Sequence, residues 1–253
     1  MTGISPDSAW RSVVMTAEAA RIARQLANAR TGRSIDLPGV IGLLDVPGFI
    51  YVNELLVSAE ALASHLMSIR PPGFVLVAGG VPGELHAALA TMGWSFRRTL
   101  EMMILPRECA PAHQPAGRNV TVEIANAVNI RDIKPLSDVA FGLRSHPSAF
   151  VGDSHTHGFL ARDRSGKVVA MGGWAEAGIG AKIFSIATHP EHRRQGLGRL
   201  MTLEAVLSAH RAGARFSYLE STTDGAGVYR RIGFRTLDIW HVFRHPHLRS
   251  LSI

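Results

Sequence analysis

Between residues 189 and 198 the chain reads His189-Pro190-Glu191-His192-Arg193-Arg194-Gln195-Gly196-Leu197-Gly198. Holding an anion is the chemistry such a stretch can do. An apolar, strand-like run (Ile183 to Ala187) leads into it, and a helical spacing (Leu200, Leu203, Val206, Leu207) leads out. A strand, a tight turn and a helix aim unpaired N–H groups and the positive end of the helix dipole at one spot, which suits a pyrophosphate. Gly196 and Gly198 let the backbone approach without an intervening Cβ. Downstream, Tyr229-Arg230-Arg231-Ile232-Gly233-Phe234 follows a second apolar, strand-like run, Phe216 to Glu220.

The spacing Arg193-x-x-Gly196-x-Gly198 after a strand, with Tyr229 to Phe234 following in order, resembles the acyl-CoA core of the GNAT N-acetyltransferases. The resemblance covers residues 120–245 and implies a co-substrate, acetyl-CoA, and direct transfer to an amine. It implies main-chain contacts to the acetyl carbonyl and pantetheine at Ile186, Ala187 and Thr188. The loop Arg193, Arg194, Gln195, Gly196, Leu197, Gly198 and Arg199 then takes the phosphates. Tyr229 falls at the family's general acid, and a phenol of pKa ~10 is matched to protonating a thiolate. The competing reading is a core tyrosine making one hydrogen bond. For a base, Glu220 is the preferred carboxylate. Glu176 and His189 are further candidates, Ser185 could order a water, and a water chain could replace a dedicated base. Thr222 stands where many members carry the Asn that contacts the pantetheine arm, a departure shared with a bacterial branch. No metal is expected: His146, His155 and His157 show no close carboxylate or Cys in sequence, and His241, His245 and His247 read as surface residues.

The elements that must position these groups follow from periodicity. Strands are predicted at Val120 to Ile124, Gly158 to Arg162, Val168 to Trp174, Lys182 to Thr188, Phe216 to Ser221 and Phe234 to Phe243. Asp163-Arg164-Ser165-Gly166 is a hairpin turn. Helical spacing covers Asn126 to Phe141, split by Pro135, Leu197 to Ala212 with Gly213 beyond its end, and Gly225 to Ile232. Leu143 to His157 is a polar loop that the resemblance places over the acceptor pocket. The order is that of the GNAT fold, an α/β (α+β) mixed sheet.

Residues 106–119 read as a linker with three prolines, Pro106, Pro111 and Pro115. They separate a domain over 1–105 from a catalytic domain over 120–253. The first domain looks like a degenerate tandem copy. Ala88 to Thr99 aligns with Val228 to Thr236, Leu89 replaces Tyr229, and Asn53-Glu54-Leu55-Leu56-Val57-Ser58 replaces the glycine loop. That copy is expected to shape structure or substrate without binding CoA. Ser8 to Asn28 is Ala-rich and amphipathic, a packing helix.

Composition narrows the class further. The 253 residues are 46% hydrophobic and 19% charged, as in ordinary globular proteins. No apolar run reaches the ~18 residues of a membrane span, and Met1 to Asp7 lacks a signal-peptide pattern. A single cysteine, Cys109, excludes an intrachain disulfide and fits a reducing cytoplasm. The net charge of +7 is dispersed, without an aromatic-plus-basic RNA motif, so no nucleic-acid partner is expected. The chain therefore reads as a cytoplasmic N-acetyltransferase acting on a small, amino-acid-like amine, as monomer or homodimer. The alternatives are a non-catalytic acyl-CoA sensor, a protein N-acetyltransferase and a longer-chain acyltransferase.

Overall fold

A computed structural model describes residues 6–28, 40–41, 49–53, 66, 74–78, 83–112, 119–141 and 154–244. In chain order these form α1 (Pro6–Asn28), β1 (Val40–Ile41), β2 (Phe49–Asn53), β3 (Phe74–Ala78), α2 (Gly83–Thr91), β4 (Ser95–Pro106), β5 (Thr121–Ile124), α3 (Lys134–Phe141), β6 (Thr156–Arg162), β7 (Val168–Ala177), β8 (Gly180–Thr188), α4 (Leu197–Arg211), β9 (Phe216–Ser221), α5 (Thr223–Arg230) and β10 (Arg235–Arg244). Short 3-10 turns lie at Arg107–Cys109, Ile130–Ile133 and Pro190–His192. The architecture is a mixed α/β fold. Most of the predicted polar loop, with His146, lies outside the described residues, as do 54–58, His245 and His247.

The chain divides into two units. One comprises Met1–Met103, Glu220–Asp224 and Thr236–Ser250; the other comprises Ile104–Leu219, Gly225–Arg235 and Leu251–Ile253. The division is not linear. β10 pairs antiparallel with β3 (His241 opposite Val77), which draws the last strand to the N-terminal unit. The composition break also starts late in structural terms. Leu105 and Pro106 finish β4, and the Arg107 N–H donates to the Arg215 carbonyl at 3.0 Å.

Within the first unit the strand order is β1-β2-β3-β10-β4, with β2 and β3 parallel. One of its turns has a counterpart in the second unit. The Trp94 N–H donates to the Leu89 carbonyl at 2.9 Å after Gly93; in the other unit the Phe234 N–H donates to the Tyr229 carbonyl at 3.1 Å after Gly233. Both glycines have positive φ, 80° and 115°. A helix, a left-handed glycine and a buried aromatic thus recur at one sequence offset.

The second unit orders its strands β9-β8-β7-β6-β5; β5 to β8 are antiparallel neighbours, and β8 runs parallel to β9. Alternation sends side chains to two faces. Leu160, Met171 and Ala187 pack with Ile130, Ile133 and Leu136, before and within α3. Pro135 occupies the second position of α3, where its missing N–H breaks no helical bond. A 3-10 turn takes the residues before it, so the predicted long helix is two pieces. α4 is a 15-residue helix with Leu200, Met201, Leu203, Val206 and Ala209 buried.

Candidate functional site

The site is built where β8 ends and α4 begins. β8 pairs with β9 through Ala181–Ser217 and Lys182–Tyr218. Among the described residues the pairing stops there, so the two parallel strands diverge along the rest of β8. On the other side β8 stays paired with β7, but irregularly. Met171 faces Ala187 while Gly173 faces Phe184, leaving Ser185 and Ile186 opposite Gly172 alone, a bulge. Ser185 takes the left-handed φ of 52° there. The His189 N–H donates to the Val169 carbonyl at 2.8 Å. Alternation in an antiparallel ladder then turns the N–H of Thr188 away from β7, toward the diverged side. This turns a main-chain donor toward the side of β8 where the pairing with β9 has stopped, at one of the residues predicted for carbonyl and pantetheine contact.

Packing fixes the bulge. A Cβ on Gly172 would lie 2.4 Å from Ile186 Cδ1 and 3.5 Å from Met201 Cβ. The tip of the Ile186 side chain takes the space that a Cβ at 172 would need, so a larger residue there would have to push that tip aside.

The turn after β8, where the sequence places the phosphate loop, has a nest-like backbone. Arg194 and Gly196 both have left-handed φ, 64° and 81°, and Gly196 is the N-cap of α4. The Leu200 N–H donates to the Gly196 carbonyl at 3.0 Å, the first helical bond. The N–H groups of Leu197, Gly198 and Arg199 precede it and have no helical partner. Arg193, Arg194, Gln195 and Gly196 are exposed, whereas Leu197 is buried and anchors the turn. Thr188 Oγ1 lies 3.9 Å from the place a Gly198 Cβ would take. Strand end and helix start are thereby side by side, as the motif spacing requires.

Tyr229 sits in the last turn of α5, half-buried, with its ring edge-on to Phe234 at 6.0 Å between centroids. Burial pushes its phenol up to about 12. Among the described residues its hydroxyl makes no hydrogen bond. Glu220 is a half-buried residue near the end of β9, two residues past Tyr218 and so on the same face of that strand. Thr222 is exposed between β9 and α5. Glu220 and Thr222 fall in the first unit, and Tyr229 in the second.

Other candidates are placed differently. Glu176 stands opposite Ala181, seven residues from Thr188 along β8, or about 23 Å of strand. His155 Nδ1 contacts its carboxylate at 2.9 Å. This partner is 21 residues away in sequence, and the contact lies at the far end of β8 from the nest. The His157 ring stacks on Trp174 at 4.1 Å, and Trp174 Nε1 donates to Ser208 Oγ of α4 at 3.1 Å. His241 is buried rather than at the surface, in a cluster with His86, Phe96 and Phe243. Sequence reasoning missed the Gly172–Ile186 fit and the grouping of His189, Glu191 and His192. A pair of adjacent glycines in β7 (Gly172, Gly173) was the available signal for the first.

This geometry has counterparts. Residues 154–236 match the family model for the acetyltransferase (GNAT) domain. No curated protein sequence matches the chain. Among solved structures, a GCN5-related N-acetyltransferase from Kribbella flavida aligns with a TM-score of 0.68 at 23% identity, over 94% of this chain and 98% of that one. A GCN5-related N-acetyltransferase from Sphaerobacter thermophilus aligns with a TM-score of 0.59 at 15% identity, over 88% of this chain and 78% of that one. A tandem GNAT protein from the clavulanic acid biosynthesis pathway aligns with a TM-score of 0.51 at 15% identity, over 96% and 97%. The chain therefore has the fold of the GNAT acetyltransferases, and the family model matches it over residues 154–236. Among the described residues no helix is long and apolar enough to cross a membrane.

Proposed function

We propose that this protein is an N-acetyltransferase that moves the acetyl group of acetyl-CoA directly to the primary amine of a small, amino-acid-like metabolite. The observation that carries this reading is the divergence of β8 from β9 beside a left-handed nest at the start of α4. A cleft with a free main-chain donor at one end and an anion cradle at the other suits a thioester linked through a long arm to a pyrophosphate.

In the proposed reaction the neutral amine nitrogen attacks the thioester carbon. The carbonyl oxygen gains charge against the main chain of Ile186 to Thr188. The C–S bond then breaks, and Tyr229 gives its proton to the departing sulfur. The amine's surplus proton leaves through Glu220 or a water that it orders. Tyr229 suits its part because, among the described residues, its hydroxyl makes no hydrogen bond, and because it stays protonated at ordinary pH. Burial weakens the phenol as an acid, but it raises the proton affinity of a thiolate in the same cleft too. The pyrophosphate binds the N–H groups of Arg193 to Arg199, with Arg193 and Arg194 supplying charge, and Thr222 stands beside the pantetheine arm. We assign residues 1–105 a structural or substrate-shaping role without CoA binding, joined through 106–119 to a catalytic part over 120–253, in a cytoplasmic protein.

The test is free CoA release from acetyl-CoA with a panel of amines and amino acids. Amine-dependent release that drops about 100-fold in kcat for Tyr229→Phe, with acetyl-CoA affinity kept, is the expected result. Tight acetyl-CoA binding with no turnover on small amines or on protein N-termini would replace the enzyme by a sensor.

A further inference from the structure

Ahead of the nest, in the 3-10 turn Pro190–His192, a second set of donors converges. His189, Glu191 and His192 each offer one ligand atom, and the three atoms lie within 4.8 Å of one another. His189 Nδ1 and Glu191 Oε2 are 3.6 Å apart. Two ligands on a tetrahedral ion with ~2.1 Å bonds stand about 3.4 Å apart, so this pair is already near ligand spacing and side-chain rotation would draw in the third. Among the described residues Nδ1 of His189 and Nδ1 of His192 are both buried without a hydrogen-bond partner. A bound ion would satisfy both nitrogens at once.

The surroundings have the form of an outer shell. Asp163, in the β6–β7 turn, places Oδ2 3.6 Å from His192 Nε2. Its other oxygen is held by the Ser165 N–H at 2.9 Å, the Ser165 hydroxyl at 2.6 Å and the Lys167 N–H at 3.1 Å. A fixed carboxylate behind an imidazole orients the ring and raises its basicity as a ligand. A nearby cation, Lys167 Nζ, stands 3.8 Å from Glu191 Oε2, with half its side chain exposed and free to yield.

We propose that His189, Glu191 and His192 bind one divalent transition-metal ion, zinc or a cation of similar preference, with Asp163 orienting His192. Two imidazoles and one carboxylate suit such an ion and disfavour magnesium or calcium, which take oxygen shells. Bound there, the ion pins the turn that feeds Arg194 and Gly196 into the nest. The site is independent of whether the protein transfers acetyl groups.

The experiment titrates ZnCl2 into the EDTA-treated full chain by calorimetry and CoCl2 by visible d–d absorption. One ion should bind with a Kd on the order of 10 µM and raise Tm. Glu191→Gln should weaken binding at least ~10-fold, His192→Gln likewise, and Asp163→Asn by roughly 10-fold. Glu191 has 73% of its side chain exposed, so its variant keeps the test alive if a histidine variant fails to fold. Binding weaker than about 1 mM overturns the proposal. So does equal affinity in the wild type and Glu191→Gln, which would put the ion on other histidines of the twelve.

Discussion

Among the described residues the hydroxyl of half-buried Tyr229 makes no hydrogen bond, which suits the general-acid role proposed for it. The proposal carries a pH expectation. The Tyr229 pKa is raised to about 12, so the protonated form, the competent one for an acid, persists through alkaline pH. Loss of the phenol proton should therefore cause no fall in kcat up to about pH 10. A basic limb near pH 8 or 9 that vanishes in Tyr229→Phe would show the phenol to be a stronger acid than its burial allows. Glu220 calls for a separate measurement. As the base, its replacement by Gln should lower kcat/KM by roughly 10- to 100-fold. An unchanged kcat/KM would leave proton removal to a water chain.

At the scale of elements, the site depends on one irregular strand. β8 must leave β9 on one side and hold β7 on the other, and the bulge at Ser185 and Ile186 lets it do both. The side chain that locks the bulge is Ile186, seated over Gly172. Gly172→Ala should displace Cδ1 of Ile186, cost about 1–3 kcal/mol of stability by overpacking, and raise KM for acetyl-CoA. Adding Ile186→Val, which removes that terminal methyl, should recover most of both losses, as a double-mutant cycle would register. Additive losses would mean the two residues act separately. Much of this region was legible in sequence. The Arg193-x-x-Gly196-x-Gly198 spacing located the nest, and period-2 runs placed β6 to β10 within a few residues. The bulge was not legible, because it is a pairing property: Ser185 has no local reason to take positive φ until Gly172 across the ladder supplies one residue against two. Long-range contacts likewise hid the His155–Glu176 contact, 21 residues apart in sequence.

For the molecule as a whole, the composition break at 106–119 suggested two successive blocks, whereas the strand pairing is interleaved. β10 is recruited by β3 from some 160 residues upstream, a contact that no local pattern encodes. Stability carries a titration that also escapes local reading. His210, on α4, is buried against Ser217 of β9, with Nε2 3.0 Å from the hydroxyl. Desolvation first, and then the nearby Arg107 charge, lower its pKa from 6.5 to about 4, with Glu108 opposing. The folded unit thus excludes a proton that the unfolded chain accepts. Its contribution is complete above pH 6.5 and declines as pH falls from there toward 4. Each tenfold drop in proton affinity is worth about 1.4 kcal/mol, so the loss by pH 4 is at most on the order of 3 kcal/mol. His241, in the other unit, is lowered too, by desolvation and then His86, against Asp238, so it adds in the same direction. His210→Gln keeps a polar group for Ser217 but cannot titrate. Urea unfolding of wild type and variant at pH 7, 5.5 and 4.5 should show the wild type losing stability faster as pH falls, so that the two curves converge in acid. Parallel curves would mean that His210 takes up its proton as readily in the folded state as in the unfolded chain, so that burial against Ser217 does not lower its pKa.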